Sequence, residues 1–451
     1  MVVRQRVKHR CTARALAWAA GLCAALGAAA CPAGSAAAGP ARSNPARFTD
    51  EATSVERALQ LLDQRLALMP AVAAWKWQHH AAVSDPPREQ AVIRAAAMLA
   101  APLGLSPPPI ERLFTLQVRL ARDEEAELHS RWRWGGFDFP GRVPDLALEL
   151  RPQLDRLTHE LVRALYLSAP ALARPDFGAR YAPRAAQLLR SPGWSSASRA
   201  ELLADLGAIR VVPTPTLARI EASRILRIAT TGDYAPFSAE RHGELQGMDI
   251  ELALGLARRL DAQPVFVRTS WSTLLDDLRR GSFDVAIGGI SATPARASAA
   301  AVSLAYLSGG KTIIARCPDA HRFESLAAVD RPGVRVVVNP GGTNEQYVRA
   351  HLHRARLVLY PSNSTIFDEL IAGRADVMIT DDVEVELQTR RHPELCRALG
   401  GTLTRADKVL LMPRDPLFEA RVNDWLRGEL ARGAPAGLLR QALSASEQGR
   451  L

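Results

Sequence analysis

At 451 residues the chain is too long for one ordinary hydrophobic core, so its length predicts two or three domains. Its 47% hydrophobic and 23% charged residues are typical of a globular protein and exclude a disordered one. The formal net charge of +10 falls by five, to +5, without residues 1–38, which hold five basic and no acidic residues. So small an excess favours small anionic ligands over nucleic acid.

Residues 1–38 have the layout of a secretory signal peptide. Basic residues precede the apolar run ALAWAAGLCAALGAAA, and small residues with a cleavage pattern near Ala38 follow it. The run is short for a membrane span, which needs roughly 20 apolar residues. We therefore expect export to the periplasm without a stable membrane span; a lipid anchor at Cys31 is the alternative.

Residues 48–205 have helical apolar spacing, much Ala and Leu, and no alternating strand pattern. Clusters of Pro and Gly divide this part of the chain into predicted helices. These helices are expected at 51–81, 87–102, 109–133, 145–170 and 178–206. The pattern predicts an all-helical bundle, followed by a linker at 206–222.

Basic residues of the helical part are spaced so that several can meet. Arg65 and Lys76 are eleven residues apart, close to three helical turns, so one helix would present both on the same face. Arg122 and Glu125 have the spacing of a pair on a later helix. Solvated surface charges are the alternative interpretation. Lysine is rare in this arginine-rich chain, which contains only Lys8, Lys76, Lys311 and Lys408.

This part resembles the secreted, γ-type AroQ chorismate mutases over residues 48–205. The resemblance rests on Arg65, Met69, Val72, Lys76 and Trp77, on the stretch DPPR at 85–88, on Phe114, Gln117 and Glu125, and on PDL at 144–146 with Arg151. It implies an all-helical pocket that rearranges chorismate to prephenate, and relatives of this kind suggest a homodimer through the helical part.

The resemblance implies a role for each residue in that pocket. Arg65, Asp85, Arg88 and Arg151 would bind the substrate, with the arginines on its carboxylates. Lys76 would donate to the ether oxygen as negative charge develops there. Glu125 would act on the same oxygen, and a neutral Glu125 with a raised pKa would make activity fall as pH rises.

After residue 211 short β-rich runs alternate with amphipathic helical segments. This alternation predicts an α/β domain over 223–445 with mainly parallel sheets, and the number of strands favours two lobes. The predicted strands are 225–230, 264–270, 284–290, 311–317, 334–340, 356–360, 375–380 and 408–413.

The second half resembles the two-lobed (type II) periplasmic amino-acid binding proteins. The stretch GISATPAR, at 289–296, matches the element in which Ser291 and Arg296 hold a substrate carboxylate. The turn Gly341-Gly342-Thr343 would cap a helix and close over the ligand. Walls for a ring would come from Tyr234, Phe237 and Trp271.

The stretches VNPGGTNE, GDYAPFS, SGGKT, NSTIF and HPELC resemble one offshoot of these proteins, the periplasmic cyclohexadienyl dehydratases, over residues 216–445. That resemblance implies dehydration and decarboxylation of prephenate to phenylpyruvate, or of arogenate to phenylalanine. The substrate-binding residues would be Asp233, Tyr234, Trp271, Ser291, Arg296, Lys311, Thr343, Asn344 and Asp381.

Glu345 stands in a turn that otherwise suits an anion. Dehydration of prephenate requires protonation of a ring hydroxyl, so the resemblance assigns Glu345 as the general acid. Burial in a closed cleft and an anionic substrate would raise its pKa. Asp381 would meet an α-amino group and favour arogenate, or else cap the helix that follows it. Lys408 is either a site residue or a structural ion-pair partner.

Cys317 and Cys396 are the cysteines outside the predicted signal peptide. In an oxidising compartment they predict a single disulfide, with two buried thiols as the alternative.

Taken together, the residues predict an exported bifunctional chorismate mutase–cyclohexadienyl dehydratase that needs neither metal nor organic cofactor. Its partners would be the small molecules chorismate, prephenate and arogenate. The main alternative is a periplasmic solute-binding protein fused to a helical dimerisation or mutase domain. A catalytically inactive helical spacer is a further possibility.

Overall fold

The computed structural model of the protein describes residues 45–447. The predicted signal peptide and the possible lipid anchor at Cys31 therefore lie outside the described residues. Within them, a helical bundle precedes a two-lobed α/β part, which confirms the predicted architecture.

The bundle is built on buried leucine and phenylalanine side chains. Leu59 and Leu62 on the first helix, Phe114 and Leu165 are fully buried in one cluster, and each such side chain contributes about 1.5–3 kcal/mol. The helices are α1 (Glu51–Leu66), α2 (Met69–Gln78), α3 (Pro86–Ala100), α4 (Pro107–Gly135), α5 (Arg151–Leu172), α6 (Phe177–Leu188) and α7 (Ser196–Ala208).

Two predicted helices are each divided in the structure. The predicted helix 51–81 becomes α1 and α2, because Pro70 lies at the start of α2 and has no N–H to continue the hydrogen-bond ladder. The predicted helix 178–206 becomes α6 and α7, with the sequence Ser191-Pro192-Gly193 between them. α5 is preceded by a π-helical turn, Leu146–Leu150, which Asp145 caps through the backbone N–H groups of Ala147 and Leu148.

The segment predicted as a linker contains the helix α8. The strands that follow are β1 (Ile225–Thr230), β2 (Asp233–Tyr234), β3 (Ser238–Arg241), β4 (Glu244–Gln246), β5 (Gln263–Arg268), β6 (Val285–Ala286), β7 (Ala301–Val302), β8 (Leu307–Gly309), β9 (Lys311–Arg316), β10 (Arg335–Val338), β11 (Arg356–Leu359), β12 (Val377–Asp381), β13 (Leu395–Arg397), β14 (Ala406–Lys408) and β15 (Leu411–Met412). The remaining helices are α8 (Thr216–Ser223), α9 (Met248–Arg259), α10 (Leu274–Arg279), α11 (Pro294–Ala299), α12 (Leu326–Val329), α13 (Thr343–His351), α14 (Phe367–Ile371), α15 (Asp382–Arg391), α16 (Pro416–Ala431) and α17 (Ala434–Glu447).

Each lobe is built around one five-stranded sheet. Lobe one has the strand order β5-β1-β6-β15-β7, and lobe two has β11-β10-β12-β9-β13. In lobe one β5, β1 and β6 are parallel, while β15 runs antiparallel to β6 and β7. In lobe two β9 is antiparallel to both of its neighbours. The sheets are therefore mixed, and less parallel than the sequence predicted.

The chain passes between the lobes twice, through β8 and β14. These two strands pair antiparallel, with Ala406 opposite Gly309 and Lys408 opposite Leu307. Next to them, a Cβ on Gly310 would lie 1.8 Å from the carbonyl oxygen of Thr404, so only glycine fits. Lys311 and Lys408 each end one of the two connections, next to the cleft between the lobes.

A buried ionic joint connects the bundle to lobe one. Arg219 donates from Nε to the hydroxyl of Tyr166 on α5 at 3.0 Å and from Nη2 to Asp284 at 2.5 Å. Arg227 donates to the same carboxylate at 2.7 Å, and its guanidinium lies 4.8 Å from the centre of the Tyr166 ring. Burial, above all, raises the pKa of Tyr166 to about 12. The fully buried charges are thus paired, as burial requires.

Cys317 and Cys396 form a disulfide with an S–S distance of 2.05 Å. It links the end of β9 to its neighbour β13, so it lies within lobe two. Within residues 45–447, none of the helices combines the length and the apolar character that crossing a bilayer requires.

Two candidate active sites

The first cavity lies within the helical bundle and has a volume of about 170 Å³. All the residues predicted for the mutase pocket line it: Arg65, Lys76, Asp85, Arg88, Glu125 and Arg151. Apolar walls come from residues such as Met69 and Val72, which belong to the stretch that carries the family resemblance. The division of α1 from α2 does not separate these two cations.

Lys76 and Glu125 form a buried ion pair in this cavity. Lys76 Nζ donates to Glu125 Oε2 at 2.7 Å and to the carbonyl oxygen of Val83 at 2.7 Å. The Lys76 side chain is 16% exposed and that of Glu125 is 6% exposed. Burial raises the pKa of Glu125, although the adjacent ammonium of Lys76 opposes the shift. The pair therefore sets a cation beside a carboxyl group that readily takes a proton.

Arg65 is held rigidly at the base of the cavity. Its Nη1 donates to the carbonyl oxygen of Leu154 at 2.9 Å and to the hydroxyl of Thr158. Burial lowers the pKa of Arg65 to about 10. Arg65 Nε and Gln117 Nε2 are buried, and neither has a hydrogen-bond partner among the described residues. Because buried donors are normally satisfied, these two point to a ligand with acceptor oxygens.

The mouth of the cavity is formed by exposed residues, Asp85, Arg88 and Arg151. Asp85 caps α3, since its Oδ1 accepts from the backbone N–H of Arg88 at 3.2 Å. The predicted Arg122–Glu125 pair is wrong: Glu125 is turned to Lys76, and Arg122 lies 3.9 Å from Glu89 instead. A ring of cations around an apolar pocket suits a small dicarboxylate.

The raised pKa of Glu125 makes a pH-dependent reaction in this cavity testable. If its neutral carboxyl donates to the ligand, activity should be full below that pKa and fall as pH rises through it, since the carboxylate has no proton to donate. Glu125→Gln should remove this fall and retain activity at alkaline pH. The measurement is the pH profile of kcat/KM for prephenate formation; parallel profiles for the two proteins would contradict a proton-donating Glu125.

The second cavity lies between the two lobes. Its lining includes seven of the residues predicted to bind the substrate: Tyr234, Trp271, Ser291, Arg296, Thr343, Asn344 and Asp381. Asp233, Lys311 and Glu345 were predicted to contact substrate but are not part of the lining. Four further residues line the cavity that the sequence analysis included only within motifs, without a role of their own: Gly289, Asn339, Gly342 and Asn363.

The cleft is closed in this structure. The cavity holds only about 30 Å³, which is room for about one water molecule. Tyr234 donates to Asp381, and the side-chain amide of Asn363 donates to the carbonyl oxygen of Asp233 at 3.1 Å, so both pairs join the lobes. Asp233 thus contributes its backbone carbonyl oxygen to the contact between the lobes. A ligand with a six-membered ring must enter by separation of the lobes.

Arg296 is the cation of the lining. It is 8% exposed, its Nη1 donates to the carbonyl oxygen of Ser291 at 2.7 Å, and burial lowers its pKa. Its guanidinium carbon lies 6.0 Å from the ring centre of Trp271. Arg296 starts from the N-terminal turn of α11, which Thr293 caps. A carboxylate that enters the cleft would meet its remaining donors beside an aromatic wall.

Asp381 accepts hydrogen bonds from both buried lysines of the α/β part. Lys408 Nζ donates to Oδ2 at 2.5 Å and Lys311 Nζ donates to Oδ1 at 3.3 Å, while the Tyr234 hydroxyl donates to Oδ2 at 2.5 Å. Burial alone would raise the pKa of Asp381, but the charges of Lys408 and Lys311 hold it well below its usual range. The interpretation of Asp381 as a helix cap is wrong, because its side chain accepts no hydrogen bond from the backbone of α15.

Glu345 does not have the environment that the sequence predicted. Its Oε2 accepts from the backbone N–H of Gly341 at 2.7 Å, and its Oε1 accepts from Arg349 at 2.8 Å. The hydrogen bond from Gly341, chiefly, lowers the pKa of Glu345 against the effect of partial burial. The predicted raised pKa is wrong for this structure, in which Glu345 is a cap of its own turn.

The carboxyl group with a raised pKa lies instead behind the lining, at Glu384. Burial, above all, raises its pKa to about 8. Glu384 contacts the hydroxyl of Thr380, and that hydroxyl accepts from Asn344 Nδ2 at 3.0 Å. The position of Glu384 could have identified it. It is a charged residue in the first turn of α15, which directly follows the fully buried strand β12.

Family models match both halves of the chain. Residues 226–428 match the family described as bacterial extracellular solute-binding proteins, family 3, and residues 56–126 match chorismate mutase type II. The second half thus has the fold class of extracellular solute-binding proteins, with a mutase-type bundle ahead of it. The chain is 44% identical over 229 residues to cyclohexadienyl dehydratase of Pseudomonas aeruginosa, covering 50% of this chain and 84% of that protein. The chain therefore belongs to the cyclohexadienyl dehydratase family.

More distant relatives are binding proteins. ABC transporter arginine-binding protein 1 of Escherichia coli (strain K12) is 25% identical over 175 residues, which cover 39% of this chain and 70% of that protein. Among solved structures, an ancestral amino acid-binding protein described as a precursor of cyclohexadienyl dehydratase is 29% identical, with a TM-score of 0.48; the match covers 51% of this chain and 100% of that chain.

Proposed function

We propose that the protein is a bifunctional enzyme that converts chorismate to prephenate in the helical bundle and then dehydrates prephenate or arogenate between the two lobes. The observation that carries the proposal is the presence in one chain of two cavities with buried cations. Most of the lining of the first, including Arg65, Lys76 and Glu125, belongs to the segment 56–126 that matches chorismate mutase type II, and the second lies within residues 226–428, which match the solute-binding proteins of family 3. The product of the first reaction is a substrate of the second.

In the first cavity the substrate would be held by its two carboxylates. Arg65 and the arginines of the mouth, Arg88 and Arg151, supply donors that favour the compact conformer in which the rearranging carbons approach. Lys76 and a protonated Glu125 would donate to the ether oxygen, which gains negative charge as its C–O bond breaks. The reaction moves electrons within one molecule and needs no covalent intermediate.

In the second cavity Arg296 and Ser291 would hold a carboxylate beside the ring wall of Trp271. The ring hydroxyl leaves as water once it is protonated, and the electrons of the breaking C–CO2 bond complete the aromatic ring. One proton is consumed, and one water and one carbon dioxide are released. The proton donor of the proposal is Glu345, next to Thr343 and Asn344 of the lining.

For this role the hydrogen bond between Glu345 and the Gly341 N–H must break, and the carboxyl group must turn into the cavity. This would happen after the lobes have opened to admit the substrate and closed again. An anionic substrate in a closed cleft would raise the pKa of a carboxyl group that faces it. The substrate would replace water in the opened cleft.

The experiment that tests the function uses the purified protein and chorismate as the only substrate. We expect prephenate to appear first and phenylpyruvate to follow, measured by chromatography and by the absorbance of phenylpyruvate in base. Accumulation of prephenate without phenylpyruvate would support the mutase activity alone. Incubation of the protein with added prephenate would then verify that dehydratase activity is absent. Unchanged chorismate would contradict the first activity.

A second candidate function is a solute-binding protein fused to the helical bundle. The capped, ionised state of Glu345 favours it, since a receptor needs that turn only to close over a ligand. Such a protein would bind aromatic carboxylates without turnover. We further propose that the mature protein resides in the periplasm and forms a homodimer through the bundle, which size measurement by light scattering would test.

A further inference from the structure

Gln117 lines the first cavity and is 4% exposed, yet its hydrogen bonding is incomplete. Its side-chain nitrogen, Nε2, is buried and has no hydrogen-bond partner within residues 45–447. Two other buried polar residues of the lining have partners in the protein. Thr158 donates to a carbonyl oxygen of its own helix at 2.8 Å, and Glu125 accepts from Lys76 at 2.7 Å. The donor of Gln117 is therefore left for a group that enters the cavity.

The surroundings of Gln117 on α4 are apolar. Leu113, Phe114 and Leu116 are each at most 1% exposed. A buried donor without an acceptor destabilises a folded protein, whereas leucine has a similar size and no polar group. Folding alone thus gains nothing from a glutamine at this position. Residues that conflict with folding in this way are expected at functional sites.

Gln117 lies next to Arg65 in the cavity. Phe114 precedes Gln117 by three residues and so shares its face of α4. The guanidinium carbon of Arg65 lies 5.1 Å from the centre of the Phe114 ring. Arg65 Nη1 is engaged by the protein, but its Nε is buried and has no partner in the described part of the chain. Two unengaged donors, one of them on a cation, therefore lie within about one turn of α4.

These two donors are separate from the Lys76–Glu125 pair. Glu125 follows Gln117 by eight residues on α4, a rise of about 12 Å along the helix axis. Ala121, which lies between them in the lining, has no polar side-chain atom. One ligand can therefore present one acceptor group to Lys76 and another to Arg65. In chorismate the ether oxygen is the group for Lys76, so a carboxylate, with its charge and two oxygens, suits the other position.

We propose that Gln117 is a substrate-binding residue of the first cavity, which donates its side-chain amide to the substrate carboxylate that Arg65 holds. Gln117 adds a donor without adding charge, so the carboxylate has two partners and one cation. The pair selects for a carboxylate at this position over an uncharged group. This inference rests on the proposed mutase function and adds to it a residue that determines specificity.

The test measures activity and stability of Gln117→Leu in the full chain. We expect kcat/KM for prephenate formation to fall about tenfold or more, since a hydrogen bond to a charged group is lost. The melting temperature should stay the same or rise, because the buried unpaired donor is gone. Gln64→Leu is the matched control: Gln64 is an exposed glutamine of α1 outside the lining, and the rate should not change. An unchanged rate in Gln117→Leu would overturn the inference.

Two monomethyl esters of chorismate, one on each carboxylate, identify the group that Gln117 contacts. For one ester the rates of wild type and Gln117→Leu should become nearly equal, because the carboxylate bound by Gln117 is no longer charged. The other ester should show the same loss as chorismate. An equal loss for chorismate and both esters would overturn the inference, since Gln117 would then act on neither carboxylate.

Gln117→Glu provides a second test that does not depend on the folding of the leucine variant. It keeps the shape of the side chain but places a carboxylate beside the substrate carboxylate, so activity at neutral pH should fall. Activity relative to wild type should recover as pH is lowered, because the protonated carboxyl group is uncharged and can donate. A relative activity that is low and independent of pH would identify Gln117 as a structural residue and overturn the inference.

Binding separates this inference from the proposed function. If the wild type leaves chorismate unchanged, the mutase function fails, and chorismate becomes an unreactive ligand for titration calorimetry. Affinity that is about tenfold weaker in Gln117→Leu would then support the contact with the carboxylate. Equal affinity of the two proteins, or no binding to the wild type, would overturn it.

Discussion

Replacing Glu345 with Gln should lower kcat for prephenate dehydration at least a hundredfold, since a general acid typically contributes about 10²–10⁴-fold. Gln can keep Oε in place to accept from the Gly341 N–H, so the turn before α13 should persist. It has no proton to give to the leaving hydroxyl. The measurement is steady-state kinetics on prephenate, together with calorimetric binding of phenylpyruvate, which should change little.

Arg349→Met is the matched control for Glu345→Gln. Arg349 is the exposed partner of the Glu345 carboxylate, and its loss removes the ion pair but keeps the carboxyl group. Dehydration should be retained in this variant. If Glu345→Gln dehydrates prephenate as fast as the wild type, Glu345 is a cap of its turn, and the proton must come from another group near the cavity, such as Glu384 or Lys311.

Replacing Lys76 with Met should lower kcat for prephenate formation about 10²–10³-fold, the usual cost of losing one donor to a developing oxyanion. Met fills a similar volume in the largely apolar cavity but carries no charge. Glu125 then loses its cation, so its pKa should rise further. The readout is the initial rate from chorismate, with dehydration of added prephenate as an internal measure of folding.

Arg131→Met serves as the control for Lys76→Met. Arg131 is on α4 with Glu125, but its side chain is 67% exposed and pairs with the exposed Glu127. Surface pairs of this kind contribute little, about 0.3–0.5 kcal/mol on a helix. Equal rates from chorismate in wild type and Lys76→Met would contradict the role of Lys76, and if both equal the uncatalysed rate, the bundle is a catalytically inactive spacer.

The long, regular features of the fold were predictable from the sequence. The helical period and the Pro and Gly breaks located the bundle, and runs such as β1 and β9 were recognisable because each is a six-residue run rich in β-branched and apolar residues. Strands of two or three residues, such as β2 and β7, carry too few residues to form a pattern. The division at Pro70 was missed because the apolar spacing continues across it.

The candidate sites were predictable where a residue type is rare or belongs to a motif. Lys76, Arg65 and Arg296 were found in this way, and each lines its cavity. Asn339 and Asn363 come from separate loops of lobe two and meet the cleft only after folding. The protonation of Glu345 and Glu384 could not be read from the sequence, because each pKa depends on contacts with backbone and burial that the order of residues does not contain.

The buried contacts among Tyr166, Arg219, Arg227 and Asp284 fasten the bundle to lobe one, whereas β8 and β14 are the connections to lobe two. When the cleft opens, we therefore expect lobe two to move relative to a unit made of the bundle and lobe one. Opening of the cleft would then leave the bundle's cavity undisturbed, so the two reactions need not take place in step.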